Sequence, residues 1–154
     1  MSVSVGTLAP DFTLKDQGGR DIRLSSYRGM RNVVLVFYPF TFTGVCEGEL
    51  CSLRDDLSEF EHSNAQVLAV SCDSQFAQQR WAAAHGFTFP VLSDFWPHGA
   101  VARMYGVFNE QLGCAERATF VIDKQGTVVE RFEAPDFDSA RDTSAYRAAL
   151  AKLD

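Results

Sequence analysis

The fold of this 154-residue chain is decided by residues 33–46, VVLVFYPFTFTGVC. The first six of them, 33–38, form a continuous apolar run rich in β-branched and aromatic side chains, which predicts a strand buried on both faces. Beyond Cys46, apolar residues follow at steps of four, three, four and three positions, as on one stripe of an amphipathic helix. They are Leu50, Leu53, Leu57 and Phe60. The pattern therefore places Cys46 in the first turn of a helix at the carboxyl end of a central strand, where open α/β sheets carry their chemistry.

A cysteine in the first turn of a helix is suited to ionise. The backbone N–H groups there have no internal acceptor, and the helix dipole adds partial positive charge. Both stabilise a thiolate, and reactive thiols have pKa values of ~3.5–7.5 against ~8.5 for a free cysteine. Thr43 is predicted to be the N-cap, which makes Cys46 the third residue of the helix. The alternative is that Cys46 is a small core residue on the apolar stripe. The residues that flank Cys46 distinguish the reactive thiol from the core residue.

The flanking residues favour the reactive thiol. Pro39, Thr43 and Cys46 stand four and three positions apart, and Glu49 follows three positions later. Set between a buried strand and an amphipathic helix, this run resembles the active-site signature of the peroxiredoxins, the thiol peroxidases of the thioredoxin superfamily. The resemblance extends over nearly the whole chain, through segments 9–14, 93–99, 105–110 and 117–123. The runs Asp-Phe-Trp-Pro-His-Gly and Gly-Val-Phe-Asn-Glu are similar to the one-cysteine alkyl hydroperoxide reductase E subgroup.

The resemblance implies a peroxidase with Cys46 as nucleophile and Arg117 as catalytic arginine. A guanidinium there would hold the sulfur as thiolate and bind peroxide oxygens through a fork of donors; the alternative is a charge that marks a strand end. Thr43 is expected to cap the helix, to accept from the peroxide O–H, or to do both, and Pro39 to shield the sulfur from water. Glu49 either orients an arginine, as the resemblance implies, or is a surface acid that complements the helix dipole.

Three aromatic residues are expected near the same end of the sheet: Phe42, Trp81 and Trp96. All three are candidates for the wall of the substrate pocket. The two tryptophans are alternatively core residues, and the subgroup resemblance implies the pocket for Trp96. The resemblance also implies a homodimer through loops around the active site, for which these three residues would supply an apolar patch. The histidines show no ligand spacing and no Cys-x-x-Cys occurs, so neither a metal nor another cofactor is expected.

Cys51 stands five positions after Cys46, an offset that matches the resolving cysteine of the peroxiredoxin Q subgroup. In an intact helix that offset gives a rise of about 7.5 Å and a rotation of about 140°, so the Cα atoms stand ~8.7 Å apart. A disulfide spans at most ~7 Å, and the first turns would have to unwind, which Gly48 would ease. Cys51 is predicted on the polar side of the helix, as the resolving thiol or as a spare thiol beside an external reductant. Cys72 and Cys114 are weaker candidates.

The composition limits the classes of partner. The chain has 14 Lys and Arg against 20 Asp and Glu, a net charge of −6, so neither nucleic acid nor an anionic membrane surface is expected to bind. The longest apolar run, 33–40, is far shorter than the ~20 residues that cross a bilayer. The first residues lack the basic and apolar segments of a signal peptide, which predicts a cytoplasmic protein with free thiols.

The order of elements predicts one α/β domain over residues 1–154. The predicted elements are a hairpin (11–14 and 21–24), a strand (33–38), the helix of Cys46 to about Glu61, a strand (67–71), a helix (75–85), an extended piece (90–92), a helix (100–105), a hairpin (119–123 and 127–132) and a helix (139–153). Alternation of strands and helices favours parallel pairing. The order is compatible with a thioredoxin-like fold, a central mixed sheet flanked by helices with an added N-terminal hairpin, and the resemblance implies that fold.

The predicted function is reduction of a hydroperoxide by the Cys46 thiolate, with a sulfenic acid as intermediate. Hydrogen peroxide, organic hydroperoxides and peroxynitrite stay open as substrates. Thioredoxin, a glutaredoxin-like protein and a low-molecular-weight thiol stay open as reductants. One alternative is a peroxide sensor or redox-regulated holdase that uses Cys46 without turnover, which sustained peroxide consumption would exclude. The other is a thioredoxin-type dithiol oxidoreductase, against which the missing Cys-x-x-Cys argues and which insulin reduction would test.

Overall fold

The computed structural model describes residues 3–153, which form nine strands, seven of them in one central sheet. The strands are β1 (Thr13–Lys15), β2 (Asp21–Arg23), β3 (Asn32–Phe37), β4 (Ala65–Ser71), β5 (Val91–Ser93), β6 (Phe108–Asn109), β7 (Cys114–Ala115), β8 (Ala118–Ile122) and β9 (Val128–Glu133). The order across the sheet is β2-β1-β5-β4-β3-β8-β9, while β6 and β7 pair separately. Strands β3, β4 and β5 run parallel and the other pairs are antiparallel, so the sheet is mixed, as predicted.

Helices cover both faces of the sheet. They are α1 (Gly44–Asp55), α2 (Leu57–His62), α3 (Gln75–His85), α4 (Ala100–Met104) and α5 (Ser144–Leu150). Side chains of β3 alternate between two core clusters, one that includes α4 and one that includes α1, α2, α3 and α5. This confirms the predicted strand buried on both faces and the thioredoxin-like arrangement with its N-terminal hairpin. Within residues 3–153, the helices are all too short or too polar to cross a membrane.

Two helix boundaries and one pair of strands differ from the prediction. The helix of Cys46 does not continue unbroken to Glu61, because Asp56 leaves the helical conformation (φ −100°, ψ 10°) between α1 and α2. The last helix begins at Ser144 and not near residue 139. In the segment before it, the backbone N–H of Arg141 donates to a carboxylate oxygen of Glu49 at 2.8 Å. The ribbon of β6 and β7 was not predicted, since strands of two residues carry no periodicity.

The sheet brings three chain segments together at the carboxyl end of its parallel strands. Strand β3 leads through the loop 38–43 into α1, and its last residue, Phe37, is paired with Ala118 at the start of antiparallel β8. The residue before Ala118 therefore lies beside the loop. The loop is anchored to the end of the neighbouring strand, because the Thr41 backbone N–H donates to the Asp73 carboxylate at 2.8 Å.

Candidate active site

Cys46 lies where the sequence predicted it, in the first turn of α1. Thr43 is the N-cap, with extended backbone angles (φ −112°, ψ 147°), and its carbonyl accepts the first helical hydrogen bond from the Glu47 N–H at 2.9 Å. Cys46 is thus the third helical residue, and its side chain is fully buried. The thiol is held among the unpaired N–H groups of the helix start and is shielded from water.

Thr43 caps the helix through its backbone, as predicted, but its side chain makes no capping hydrogen bond. Its hydroxyl instead donates to the Phe40 carbonyl at 2.7 Å, closing the turn that precedes α1. As a result, no Thr43 oxygen competes for the N–H groups of Gly44, Val45 and Cys46, which stay available to a bound molecule. Because the hydroxyl proton is engaged with Phe40, the oxygen of Thr43 offers only lone pairs to such a molecule.

Arg117 lies against the sulfur. Its Nη1 atom is 3.2 Å from the Cys46 Sγ and 2.6 Å from Glu49 Oε1, and its Nε donates to the Phe137 carbonyl at 2.8 Å. Arg117 is only 5% exposed. The guanidinium therefore has a fixed orientation and directs one N–H edge to the thiol, which is the geometry that the predicted role of Arg117 requires.

A second arginine, Arg141, completes a buried charge network that the sequence did not reveal. Its Nε and backbone N–H both donate to Glu49 Oε2 at 2.8 Å, and its Nη2 donates to Glu49 Oε1 at 2.9 Å. Its Nη1 donates to the Phe37 carbonyl at 2.7 Å and to Thr119 Oγ1 at 3.1 Å. Glu49 is buried between the two arginines, which excludes the reading as a surface acid and agrees with the reading as an acid that orients Arg117.

The network of Arg117, Arg141 and Glu49 has one positive charge in excess. Burial raises the pKa of the Glu49 carboxyl, but the hydrogen bonds and charge of Arg141, with the charge of Arg117, outweigh burial and hold it below its ordinary value. Glu49 is therefore ionised at neutral pH, and two guanidinium groups face one carboxylate. An uncompensated buried charge is costly. The Cys46 Sγ lies 3.2 Å from Arg117 Nη1, beside this excess positive charge.

A cavity of about 320 Å³ opens beside these groups. Its lining residues are Pro39, Phe40, Thr43, Gly44, Val45, Leu112, Arg117, Phe137 and Asp138. Cys46 is not among them, so the sulfur lies behind Arg117 and the first helical turn. Pro39 is buried and lines the cavity without a backbone N–H, as its predicted shielding role requires. The cavity thus combines apolar walls with the donors of Arg117 and of the helix start.

The three aromatic residues proposed for the pocket lie elsewhere. Trp81 is fully buried in the core, where its ring packs against Tyr38 at 5.4 Å, so it is not part of a surface patch. Trp96 is 83% exposed and lines a different groove, together with Phe76 and Phe95. Phe42 is exposed and its ring lies 6.4 Å from that of Trp81. The core reading is therefore right for Trp81, and the pocket reading is not supported for Trp96.

The other cysteines are free thiols and differ in their surroundings. Cys51 lies beside Glu47 and Arg54 on the polar side of α1, as predicted, and is in addition half-buried against the second core cluster. Burial, with smaller effects of nearby carboxylates, raises the pKa of Cys72 to about 12 and that of Cys114 to about 11. Both are therefore protonated at neutral pH and are poor nucleophiles. No group of three His, Cys, Asp or Glu side chains in residues 3–153 is arranged to hold a metal ion.

Sequence reasoning missed two parts of the site. Arg141 lies 92 positions from Glu49, within a stretch that the sequence predicted to be helical, and no local pattern connects them. Asp73, which holds the active-site loop at Thr41, directly follows Cys72 after a buried strand. The position of Asp73 could have been used to predict its role, because functional sites in α/β sheets form at the carboxyl ends of the parallel strands.

The chain is similar to well-known proteins over almost all of its length. Residues 5–131 match the model of the AhpC/TSA family. The chain is 50% identical over 151 residues to alkyl hydroperoxide reductase E of Mycobacterium tuberculosis, a match that covers 98% of each protein. It is 39% identical over 138 residues to the chloroplastic 2-cysteine peroxiredoxin of Chattonella marina, covering 83% of this chain and 69% of that one. The structure of the peroxidoxin BcpB from M. tuberculosis superposes with a TM-score of 0.87 at 34% identity and covers 97% of both chains.

Proposed function

This chain belongs to the AhpC/TSA family of peroxiredoxins, and we propose that it reduces hydroperoxides with the thiolate of Cys46. Family membership confirms the resemblance found in the sequence and supports thiol peroxidase activity, with a hydroperoxide as substrate and a thiol as reductant. The observation that carries the assignment of the nucleophile is the 3.2 Å contact between Cys46 Sγ and Arg117 Nη1 inside a network that otherwise has an excess positive charge.

In the proposed reaction the thiolate attacks the terminal oxygen of the peroxide. An S–O bond forms as the O–O bond breaks, so that sulfur is oxidised to a sulfenic acid and the peroxide is reduced. The leaving RO⁻ takes up a proton and departs as water or an alcohol. Negative charge moves from the sulfur to the leaving oxygen, and donors fixed in advance around that path lower the barrier.

Each residue at the cavity has a proposed part in that step. Arg117 and the N–H groups of Val45 and Cys46 stabilise the charge as it passes along the peroxide. Thr43 accepts the hydrogen bond of the peroxide O–H, since its own proton is engaged with Phe40. Pro39 keeps water from the sulfur, and Glu49 orients Arg117. Arg141 does not contact the sulfur and acts through Glu49, so it is a positioning residue.

The shape of the cavity supports two classes of substrate. Hydrogen peroxide needs only the polar end formed by Arg117 and the helix start. An organic hydroperoxide can in addition place its carbon chain against Phe40, Leu112 and Phe137, which line the cavity. We therefore propose both hydrogen peroxide and organic hydroperoxides as substrates, with peroxynitrite as a further candidate. A comparison of second-order rate constants for hydrogen peroxide and a long-chain hydroperoxide tests the apolar contribution.

Recycling of the sulfenic acid is proposed to use a thiol, either Cys51 or an external one. Cys51 is the better internal candidate because Cys72 and Cys114 are buried and their raised pKa values keep them protonated. The internal route forms a Cys46–Cys51 disulfide and water, and the disulfide is then reduced by thioredoxin or a glutaredoxin-like protein. A peptide map of the protein after one equivalent of peroxide distinguishes the disulfide from a persistent sulfenic acid.

We also propose a homodimer, now on a smaller apolar surface than the sequence suggested. Trp81 is removed from the patch by its burial, which leaves the exposed Phe42 and Trp96 together with Phe76 and Phe95. Light scattering at micromolar concentration is expected to give the mass of two chains, and a monomeric mass would contradict the proposal.

The decisive experiment for the function replaces Cys46 by Ser. Peroxide consumption with a thiol reductant is expected to be abolished in Cys46→Ser, while Cys72→Ser, a matched loss of a buried protonated thiol, keeps the activity. Circular dichroism verifies the fold of both variants. Substantial turnover in Cys46→Ser would refute the proposal, and a wild type that is oxidised once and does not turn over would favour the sensor or holdase instead.

A further inference from the structure

The face of α1 that carries Cys51 is fastened to the end of α3. Glu47, Cys51 and Arg54 follow one another at helical spacings of four and three residues, so they share one stripe of α1. This stripe is distinct from the one that carries Cys46 and Glu49. Cys51 is half-buried there, against the cluster that contains Trp81 and the ring of Phe87.

His85, the last residue of α3, contacts the residues at both ends of this stripe, Glu47 and Arg54. Its Nε2 lies 2.8 Å from Glu47 Oε1, and because a carboxylate only accepts, Nε2 carries the proton of that bond. Its backbone carbonyl accepts from Arg54 Nη1 at 2.7 Å, as basic side chains do at the last carbonyls of a helix. The two contacts lie on either side of Cys51.

The imidazole of His85 is held in place by aromatic rings. It stacks on Phe87 with a centroid distance of 5.6 Å and meets Trp81 edge to face at 6.1 Å. Trp81 is fully buried, and the indole N–H lies 3.5 Å from the same Glu47 oxygen that His85 binds. The ring thus has a defined position from which it holds Glu47.

We propose that His85 is a positioning residue for the recycling step, a latch that keeps the Cys51 stripe of α1 closed against α3. The proposal rests on the proposed role of Cys51 as an internal resolving thiol. In the helix the two Cα atoms are ~8.7 Å apart, so a Cys46–Cys51 bond requires that the segment between them leave the helical conformation. Glu47 lies within that segment, and its contact with His85 has to break.

The latch opposes the unwinding of α1 from the stripe that carries Cys51, which the oxidation of Cys46 does not alter. Oxidation of Cys46 to a sulfenic acid alters the sulfur that contacts Arg117 on the inner stripe, the one that carries Cys46 and Glu49. The contacts of His85 with Glu47 and Arg54 contain no group that changes in this step. After oxidation, therefore, His85 limits how often Cys51 becomes free to attack the sulfenic sulfur of Cys46. That attack forms the S–S bond, and the sulfenic oxygen leaves as water.

The first test measures the release of Cys51 directly. In the Cys46→Ser background, alkylation of Cys51 by iodoacetamide is followed by peptide mass spectrometry with and without His85→Ala. Loss of one hydrogen bond of ordinary strength changes an opening equilibrium about fivefold, so Cys51 is expected to react about fivefold faster in His85→Ala. His62→Ala is the matched control, because His62 is the last residue of α2 and its ring contacts the Ser58 carbonyl.

Alkylation of Cys72 and Cys114 in the same samples is the control for global unfolding. Equal acceleration of all three thiols, or an unchanged Cys51 rate in His85→Ala, would overturn the latch. Should His85→Ala fail to fold, Arg54→Met removes the second contact, and the same acceleration of Cys51 alone is expected.

The second test separates the latch from the proposed role of Cys51. With the native cysteines present, His85→Ala treated with one equivalent of hydrogen peroxide is expected to give more Cys46–Cys51 disulfide and less remaining sulfenic acid than wild type, and less sulfinic acid when a second equivalent is added. Its rate of reaction with the peroxide itself stays the same, since His85 does not line the cavity. If Cys51 is released in the alkylation assay but no disulfide forms, the latch stands and the internal route of recycling is wrong.

Discussion

Two stripes of the same helix, α1, are stabilised in different ways. The inner stripe carries Cys46 and Glu49, which are buried. Glu49 accepts short ionic hydrogen bonds from Arg117 and Arg141, and the Cys46 Sγ lies 3.2 Å from Arg117 Nη1. The outer stripe carries Glu47, Cys51 and Arg54, which are partly exposed and meet α3 through His85 and, at Glu47, also through the indole N–H of Trp81.

The difference follows from what each half of the reaction needs. Peroxide reduction requires a thiolate and donors held in fixed positions before the substrate arrives, which a buried and fully hydrogen-bonded network provides. Recycling by an internal thiol requires that the same helix open. Partly exposed contacts contribute little to stability and can break at low cost. One helix therefore combines a rigid stripe with a releasable one.

The largest expected effect is the loss of Glu49 on the inner stripe. Glu49→Gln leaves two buried guanidinium groups without their carboxylate and is expected to lower the free energy of unfolding by about 3–5 kcal/mol. Glu47→Gln is the same chemical change on the outer stripe and is expected to cost less than about 1 kcal/mol. Urea unfolding followed by circular dichroism measures both, and equal losses would mean that the two stripes do not differ.

The next effect concerns the rate of peroxide reduction. Arg117→Met is expected to slow the reaction of Cys46 with hydrogen peroxide about 100-fold or more, the cost of removing a fixed donor from a developing charge. Arg117→Lys restores the charge but not the fork of donors, and recovers only part of the rate.

The outer stripe supplies the control for this rate. Arg54→Met removes a guanidinium of similar size from α1 and is expected to change the peroxide rate by less than about twofold, because Arg54 is distant from the cavity. Stopped-flow measurement of the second-order rate constant compares the variants. A wild-type rate in Arg117→Met would contradict the role of the inner stripe.

A smaller effect is expected when the outer stripe loses its thiol. Cys51→Ser reacts with the first equivalent of peroxide as fast as wild type, but its sulfenic acid persists and is converted to sulfinic acid by further peroxide. Mass spectrometry over a peroxide titration measures the product, with Cys72→Ser as the control. If wild type and Cys51→Ser overoxidise alike and no disulfide is found, recycling depends on an external thiol alone.

The smallest expected effect is a loss of stability at acid pH, which arises from Glu49 on the inner stripe. The pKa of Glu49 is depressed in the folded protein, so its contribution is fully present above the ordinary pKa of a glutamate and is lost as pH falls through the folded value. The free energy of unfolding therefore declines below about pH 4.3, by at most ~1.4 kcal/mol per pH unit for this one group. Urea midpoints of wild type and Glu49→Gln test this, since the variant lacks that part of the slope.

The sequence determined the features that depend on neighbours along the chain. The apolar run 33–38 and the stripe after Cys46 specified the strand, the helix and the position of the thiol at the helix start, because side-chain periodicity and helix ends are local properties. The predicted end of α3 at residue 85 was also correct, since the next residue, Gly86, adopts the left-handed conformation that ends a helix (φ 69°). The signature residues added the nucleophile and, through the resemblance, Arg117.

Only the tertiary structure decided which groups meet. Glu49 was read as the partner of one arginine and has two, because Arg141 is brought to it by packing across 92 positions of chain. Helical geometry placed Cys51 correctly beside Glu47 and Arg54, but the contact of that stripe with His85 at the end of α3 did not follow from it. Helical spacing fixes which residues share a face, but the charge and burial of that face come from whatever packs against it, and those contacts are set by the whole fold.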